Sequence, residues 1–211
     1  MSTSSQILLD RVRGCMVGAV LGDCLGSPVE CTYWFGIKKK SVRKHFDAYE
    51  EEGNKLERKG ALMKYTDDTA MARQVALSII EKKELDVKDL AKRFVNEHES
   101  EPWRGYGASV GQVFQKLGKT NFASEKEVFQ PAAEQFDGSG SYGNGAAMRA
   151  HPIGLFGKNI EEIEELAEKQ ARLTHAHGGG IMGSILQAAG MYQVGLILMC
   201  NFWFYELVQR I

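Results

Sequence analysis

A chain of 211 residues, 44% hydrophobic and 25% charged, has an ordinary globular composition and the length for one well-buried domain or two small ones. Its 26 Lys plus Arg against 27 Asp plus Glu leave almost no net field, which excludes bulk electrostatic attraction to nucleic acid, so a polyanionic ligand must be recognised locally. Cys15, Cys24, Cys31 and Cys200 show no CxxC spacing, so neither a zinc framework nor a disulfide scaffold is expected and a reducing compartment is the simpler setting.

The opening MSTSSQILLDRVRG mixes acid and base and has no signal-type apolar core, the pattern of a protein that is not secreted. From Ile7 to Leu25 the apolar residues recur at helical spacing, with Gly14, Gly18 and Gly22 on one face where a second helix could approach closely. Asp10, Arg11, Arg13 and Asp23 place that helix in a soluble bundle, with Asp23 where it leaves the core. Gly26, Ser27 and Pro28 read as a turn that delivers Glu30 either to a site or to a solvated loop. The charged stretch from Tyr33 to Leu62 reads as a loop with one short amphipathic piece.

The segment KYTDDTAMAR, Lys64 to Arg73, concentrates oxygen ligands at the start of an apolar helix. Thr66 is a natural N-cap, and Asp67 and Asp68 in the first turn are stabilised by the positive helix end. Capping accounts for this pattern; so does a corner where Thr66, Asp67 and Asp68 hold a hard cation such as Mg²⁺. A second amphipathic helix follows from Asp86 to Glu99, capped by Asp86, and the loop EPWRGYG leads to an apolar helix from Ala108 to Leu117. Trp103 and Tyr106 in that loop suit ring stacking or plain anchoring. Ser124 to Phe136 is a further helix, with Glu127 at the capping-box position and Pro131 bending or breaking it.

FDGSGSYGNGAAMR, Phe136 to Arg149, is too rich in glycine for a helix or strand interior. It reads as a loop running into a helix over AAMRAHPIGLF, and open amides at a helix N-terminus suit an anion such as diphosphate; a linker is the alternative. The helix from Asn159 to Thr174 ends at His175, in C-cap position or, alternatively, as a ligand-contacting side chain. From Gly195 the sequence GLILMCNFWFYELV is strongly apolar, but Ile181 to Val208 carries Gln187, Gln193 and Asn201, so membrane insertion is not the expectation. No alternating strand is evident, and the fold class is all-α.

Taken in order, RVRGCMVGAVLGDCLGSPVE, YTDDTAMA, RGYGASV, FDGSGSYGNGAAMR and LTHA resemble the ADP-ribosylglycohydrolase family, nearest its ADP-ribosylhydrolase 3 branch, over about Asp10 to Gln187. The resemblance implies an all-α bundle with two Mg²⁺ ions, hydrolysing the anomeric bond of serine-linked ADP-ribose, poly(ADP-ribose) and O-acetyl-ADP-ribose. It implies metal ligation by Glu30, Thr66, Asp67 and Asp68, catalytic roles for Glu30 and Asp67, and substrate binding by Asp67, by Ser139, Gly140, Ser141, Tyr142, Gly143, Asn144 and Gly145, and by His175. Glu30 would serve as general acid or base and the metal would orient ribose and water. Partners would be ADP-ribose, ADP-ribosylated proteins or poly(ADP-ribose), with no direct DNA binding, in a monomer of nucleus, cytoplasm or mitochondrial matrix acting in the DNA damage response. The family's late acidic motif, GGDTDT, does not occur in this sequence, and after Gln187 the pattern is lost. The expectation is therefore a bundle incomplete on its C-terminal side, with 1–187 the N-terminal part of the family domain and 188–211 a divergent apolar tail that replaces the remaining helices. Such a bundle would leave apolar faces uncovered.

Overall fold

The computed structural model describes residues 3–30, 38–40, 42–44, 47 and 64–209, and side chains only between residues 6 and 194, apart from Val29, within those ranges. The expected loop from Tyr33 to Leu62 falls largely outside them, as do Cys31 and the side chains of the apolar segment from Gly195. Among the described residues every regular element is helical: α1 (Thr3–Glu30), α2 (Asp67–Lys82), α3 (Val87–Ser100), α4 (Ala108–Leu117), α5 (Glu125–Ala133), a 3-10 turn (Asn144–Ala146), α6 (His151–Phe156), α7 (Ile160–Arg172) and α8 (Gly178–Gln209). The all-α class expected from the sequence is the class observed.

The helix starts lie where the caps predict. Thr66 accepts from the amide of Asp68, Asp86 from those of Lys88 and Asp89, Ser124 from that of Glu127, and Asn159 from that of Glu162. Each cap satisfies an amide that has no partner inside the helix, so the short polar residue and the helix start coincide. Met71, Val75 and Ile79 of α2 then meet Leu90 and Phe94 of α3, Val113, Phe114 and Leu117 of α4, Val128 of α5, Ile153 of α6 and Ile163 of α7 in one core. Each large side chain buried there contributes roughly 1.5–3 kcal/mol. Helix α8 closes the core with Ala188, which is fully buried, and packs along α6 and α7. Gly154 permits the α6 crossing, because a Cβ there would lie 2.3 Å from the Ala188 carbonyl oxygen. The expected division after Gln187 falls within this helix. Cys15 and Cys24 are free thiols, and no helix among the described residues is long and apolar enough to cross a membrane.

Two expectations for the N-terminal helix need correction. The predicted turn at Gly26–Pro28 is helical, and α1 ends two residues beyond Pro28; the proline forgoes one intrahelical hydrogen bond, and the helix stops within its final turn. Among the described residues the glycine face also brings no helix close: a Cβ on Gly14, Gly18 or Gly22 would meet nothing within 4 Å. That face borders a cavity of about 360 Å³ whose far wall includes Gln187 and Met191 of α8, while Leu8, Val17 and Leu21 are more than half exposed. Helix α1 is thus held mainly by α2.

Candidate functional site

The acidic corner is held in place by the protein's own contacts. Asp23 of α1 accepts four hydrogen bonds from the start of α2: from the Thr66 amide (2.9 Å) and hydroxyl (2.7 Å), and from the Thr69 amide (3.1 Å) and hydroxyl (2.6 Å). From the other side, the Asp67 amide donates to the carbonyl of Arg104 at 2.9 Å. The Arg104 guanidinium donates to the Tyr65 carbonyl at 3.0 Å and lies 3.6 Å from the centre of the Tyr65 ring. These contacts fix the corner from both sides and leave the Asp67 and Asp68 carboxylates facing the cleft they line.

No cation is paired with those two carboxylates among the described residues. Burial, reinforced by Asp68, Glu30 and Asp23, pushes the Asp67 carboxyl up to about 7. Burial, then Asp23 and Glu30, raises Asp68 to about 6. Uncompensated acid of this kind attracts a cation or retains a proton.

The opposite wall is the glycine loop. Its predicted run into a helix over AAMRAHPIGLF is corrected: only the 3-10 turn follows, and α6 begins at His151 with no side-chain cap. The amides of Asn144 and Gly145 have no hydrogen-bond partner among the described residues, so the open donors expected of an anion-binding loop are present without the α-helix. Gly140, at φ 73°, is pressed onto the corner between α7 and α8, where a Cβ would lie 2.5 Å from the His177 amide nitrogen. His175 follows α7 and is 6% exposed; its ring lies against Gly143 and Gly145. Burial, and then the charge of Arg149, depresses its pKa to about 3, so the imidazole is neutral.

One cleft of about 230 Å³ gathers Glu30, Asp67, Asp68, Ser141, Gly143, Asn144, Gly145 and His175, with Gly105–Gly107, Ser109, Met148 and Arg149. Residues up to 145 positions apart in sequence thereby share one surface. Ser139, Gly140, Tyr142 and Thr66 are not part of its lining. Ser139 donates to the Phe136 carbonyl, the exposed Tyr142 ring stands edge-on to His177, and the Thr66 hydroxyl is committed to Asp23. Trp103 is 70% exposed, whereas Tyr106 packs edge-on against His98 and Phe114 and anchors its loop on the core. The Tyr106 hydroxyl is buried without a partner among the described residues, and burial holds it protonated far above its ordinary range.

The donor set suits Mg²⁺ in type, being carboxylate oxygens at a negative site. It does not suit it in number: among the described residues no three His, Cys, Asp or Glu side chains come together to hold a metal. What Asp67, Asp68 and Glu30 do share is the lining of one cleft.

The sequence pattern assigns no function to Asp23, Arg104 or Arg149. All three lie within the quoted motifs, but Asp23 and Arg104 act by holding the acid corner, a role visible only once α1, α2 and the Arg104 loop are assembled. Arg149 is 1% exposed beneath the glycine loop, and an isolated arginine after an Ala-Ala-Met run carries no signal of burial.

A profile of the family described as ADP-ribosylglycohydrolase matches residues 4–197. An ADP-ribosylhydrolase ARH3 of Xenopus tropicalis is 45% identical over 184 residues, 87% of this chain and 50% of that protein. The protein of the same name from Homo sapiens is 42% identical over 185 residues, 87% of this chain and 50% of its own. An ADP-ribosyl-[dinitrogen reductase] glycohydrolase of Rhodospirillum rubrum is 30% identical over 175 residues, 80% of this chain and 52% of its own. The chain spans about half the length of the curated relatives it matches.

Proposed function

We infer the role of the cleft from one premise: the chain belongs to the ADP-ribosylglycohydrolase family. We propose that it binds ADP-ribose and hydrolyses the anomeric bond of ADP-ribose conjugates, with serine-linked ADP-ribose, poly(ADP-ribose) and O-acetyl-ADP-ribose as substrates. The observation that carries this reading is the meeting of Glu30, Asp67 and Asp68 with Ser141, Gly143, Asn144, Gly145 and His175 in a single cleft. The open amides of Asn144 and Gly145 and the ring of His175 receive the diphosphate and adjoining ribose, which explains how a protein without net positive charge takes a dianion. The acid corner receives the ribose bearing the scissile bond. Glu30, exposed at the cleft edge, serves as general acid or base toward the leaving group or the attacking water, and a carboxyl held at about 7, as on Asp67, is suited to proton transfer near neutral pH.

Mg²⁺ bound against Asp67, Asp68 and Glu30 would supply charge neutralisation and orientation of ribose oxygens. Because the described donors form only one side of such a site, no chemical step is assigned to it. That shortfall also supports a second reading, a binder of ADP-ribose that does not turn it over. The deciding experiment incubates folded protein with a serine-ADP-ribosylated peptide and Mg²⁺ and measures free ADP-ribose. The expected result is release that disappears in Asp67→Asn. Binding of ADP-ribose by calorimetry without release would establish the binder instead, and neither binding nor release would end both readings.

A further inference from the structure

The buried polar chain beneath the glycine loop specifies more than the position of His175. Among the described residues Arg149 has no carboxylate partner; its guanidinium lies 4.5 Å from the centre of the Phe94 ring. Nε donates to Gln170 Oε1 at 2.7 Å, and Nη2 donates to the Gln170 carbonyl at 2.9 Å and to Thr174 Oγ1 at 2.8 Å. The Gln170 amide is fixed in turn, since its Nε2 donates to the Ala146 carbonyl (2.9 Å) and to Ser184 Oγ (2.6 Å). Ser184 Oγ donates onward to the Ala167 carbonyl at 3.0 Å. Three of the five guanidinium N–H groups and both amide protons of Gln170 thus have defined acceptors.

Thr174 Oγ1 comes next, fully buried and 2.7 Å from His175 Nδ1. A hydroxyl has one proton and two acceptor positions. One acceptor position is taken by Arg149, and among the described residues the only acceptor within reach of the proton is Nδ1. Were Nδ1 the protonated nitrogen, the hydroxyl would accept twice and its own proton would be buried without a partner, an unfavourable state. The satisfied arrangement runs from Arg149 to Thr174 to an unprotonated Nδ1, and the ring proton then sits on Nε2. Nε2 itself makes no hydrogen bond to the described residues and lies beside the cleft-lining Gly143, where a Cβ would stand 3.4 Å from it.

We propose that Arg149 and Thr174 are positioning residues that hold His175 in the Nε2–H tautomer, so that the cleft presents one fixed neutral N–H donor to a phosphate or ribose oxygen. The identity of that oxygen rests on the function proposed above; the tautomer does not. Burial and the Arg149 cation together keep the ring neutral, so the donor persists through the physiological range.

The test is long-range ¹H–¹⁵N correlation of the His175 side chain in the full chain between pH 5 and 8, with ADP-ribose calorimetry alongside. The expected spectrum shows a protonated Nε2, a bare Nδ1 and no titration. Thr174→Val, which keeps the shape and removes the hydroxyl, should mix the tautomers and weaken ADP-ribose binding roughly fivefold to tenfold, and Thr174→Ser should restore both. A protonated Nδ1 in the native protein, titration of the ring near its ordinary value, or an unchanged tautomer in folded Thr174→Val would each overturn the proposal. If a valine variant fails to fold, the native spectrum and the serine variant still decide. Absence of ADP-ribose binding with the expected spectrum would remove the proposed function and leave the relay standing.

Discussion

Asp67 and Asp68 are adjacent carboxylates on one helix start, and their cost to the fold has a definite sign. For an acid whose folded pKa lies above its unfolded value, the native state binds more protons than the unfolded chain between those two values, so stability falls as pH rises through that window. For Asp67 the window runs from 3.8 to about 7. Asp67→Asn removes this cost, and its stability advantage over the native protein in the absence of Mg²⁺ should grow from pH 4 to pH 7 and then level off. Thermal unfolding at a series of pH values measures it, at about 2–4 °C for each kcal/mol in a domain of this size. Comparing variant with native protein at each pH cancels the opposite contribution of His175, whose depressed pKa lowers stability as the solution becomes acidic. An advantage that is flat with pH would mean that Asp67 does not titrate in this window. The helix cap is legible in the residue types here; the raised proton affinity is not, because it comes from burial in the cleft and from Glu30 and Asp23 on another helix.

At the scale of elements, caps and hydrophobic spacing locate α2, α3, α4 and α7 because the signals that start and bury those helices are local. Helix α1 shows the opposite case. Local rules make its glycine face a packing surface and its glycine-serine-proline segment a turn, yet the segment is helical and, among the described residues, the glycine face packs against no helix. What ties α1 to the remainder is Asp23, whose two oxygens take four hydrogen bonds from the threonines that frame the acid pair. Asp23→Ala should cost about 2–4 kcal/mol in urea unfolding, since bonds to a charged acceptor are worth more than neutral ones and all four share one group. A change below about 0.5 kcal/mol, typical of a plain surface position, would show that the latch contributes nothing.

For the molecule as a whole, the cleft is an assembly of the end of α1, the start of α2, the Arg104–Gly107 loop, the glycine loop and the residue after α7. Its acidic wall is one-sided: among the described residues no three His, Cys, Asp or Glu side chains come together to hold a metal. The chain by itself should therefore bind fewer than two Mg²⁺ ions, counted by equilibrium dialysis with and without ADP-ribose. Two tightly held ions per chain would show that residues other than Glu30, Asp67 and Asp68 complete the ligand set.

The amino-acid sequence alone determined the all-α class, the starts of the four capped helices α2, α3, α5 and α7, the candidate acids Glu30, Asp67 and Asp68, the glycine loop, His175 and the family, because caps, periodicity and ordered motifs are properties of neighbouring residues. Tertiary structure decided which of those residues share the cleft: Ser141, Gly143, Asn144, Gly145 and His175 line it, while Ser139, Gly140, Tyr142 and Thr66 do not. It alone revealed Asp23 as a latch and Arg149 as a buried cation, since a carboxylate's donors and a guanidinium's burial are fixed by chain segments far away in sequence.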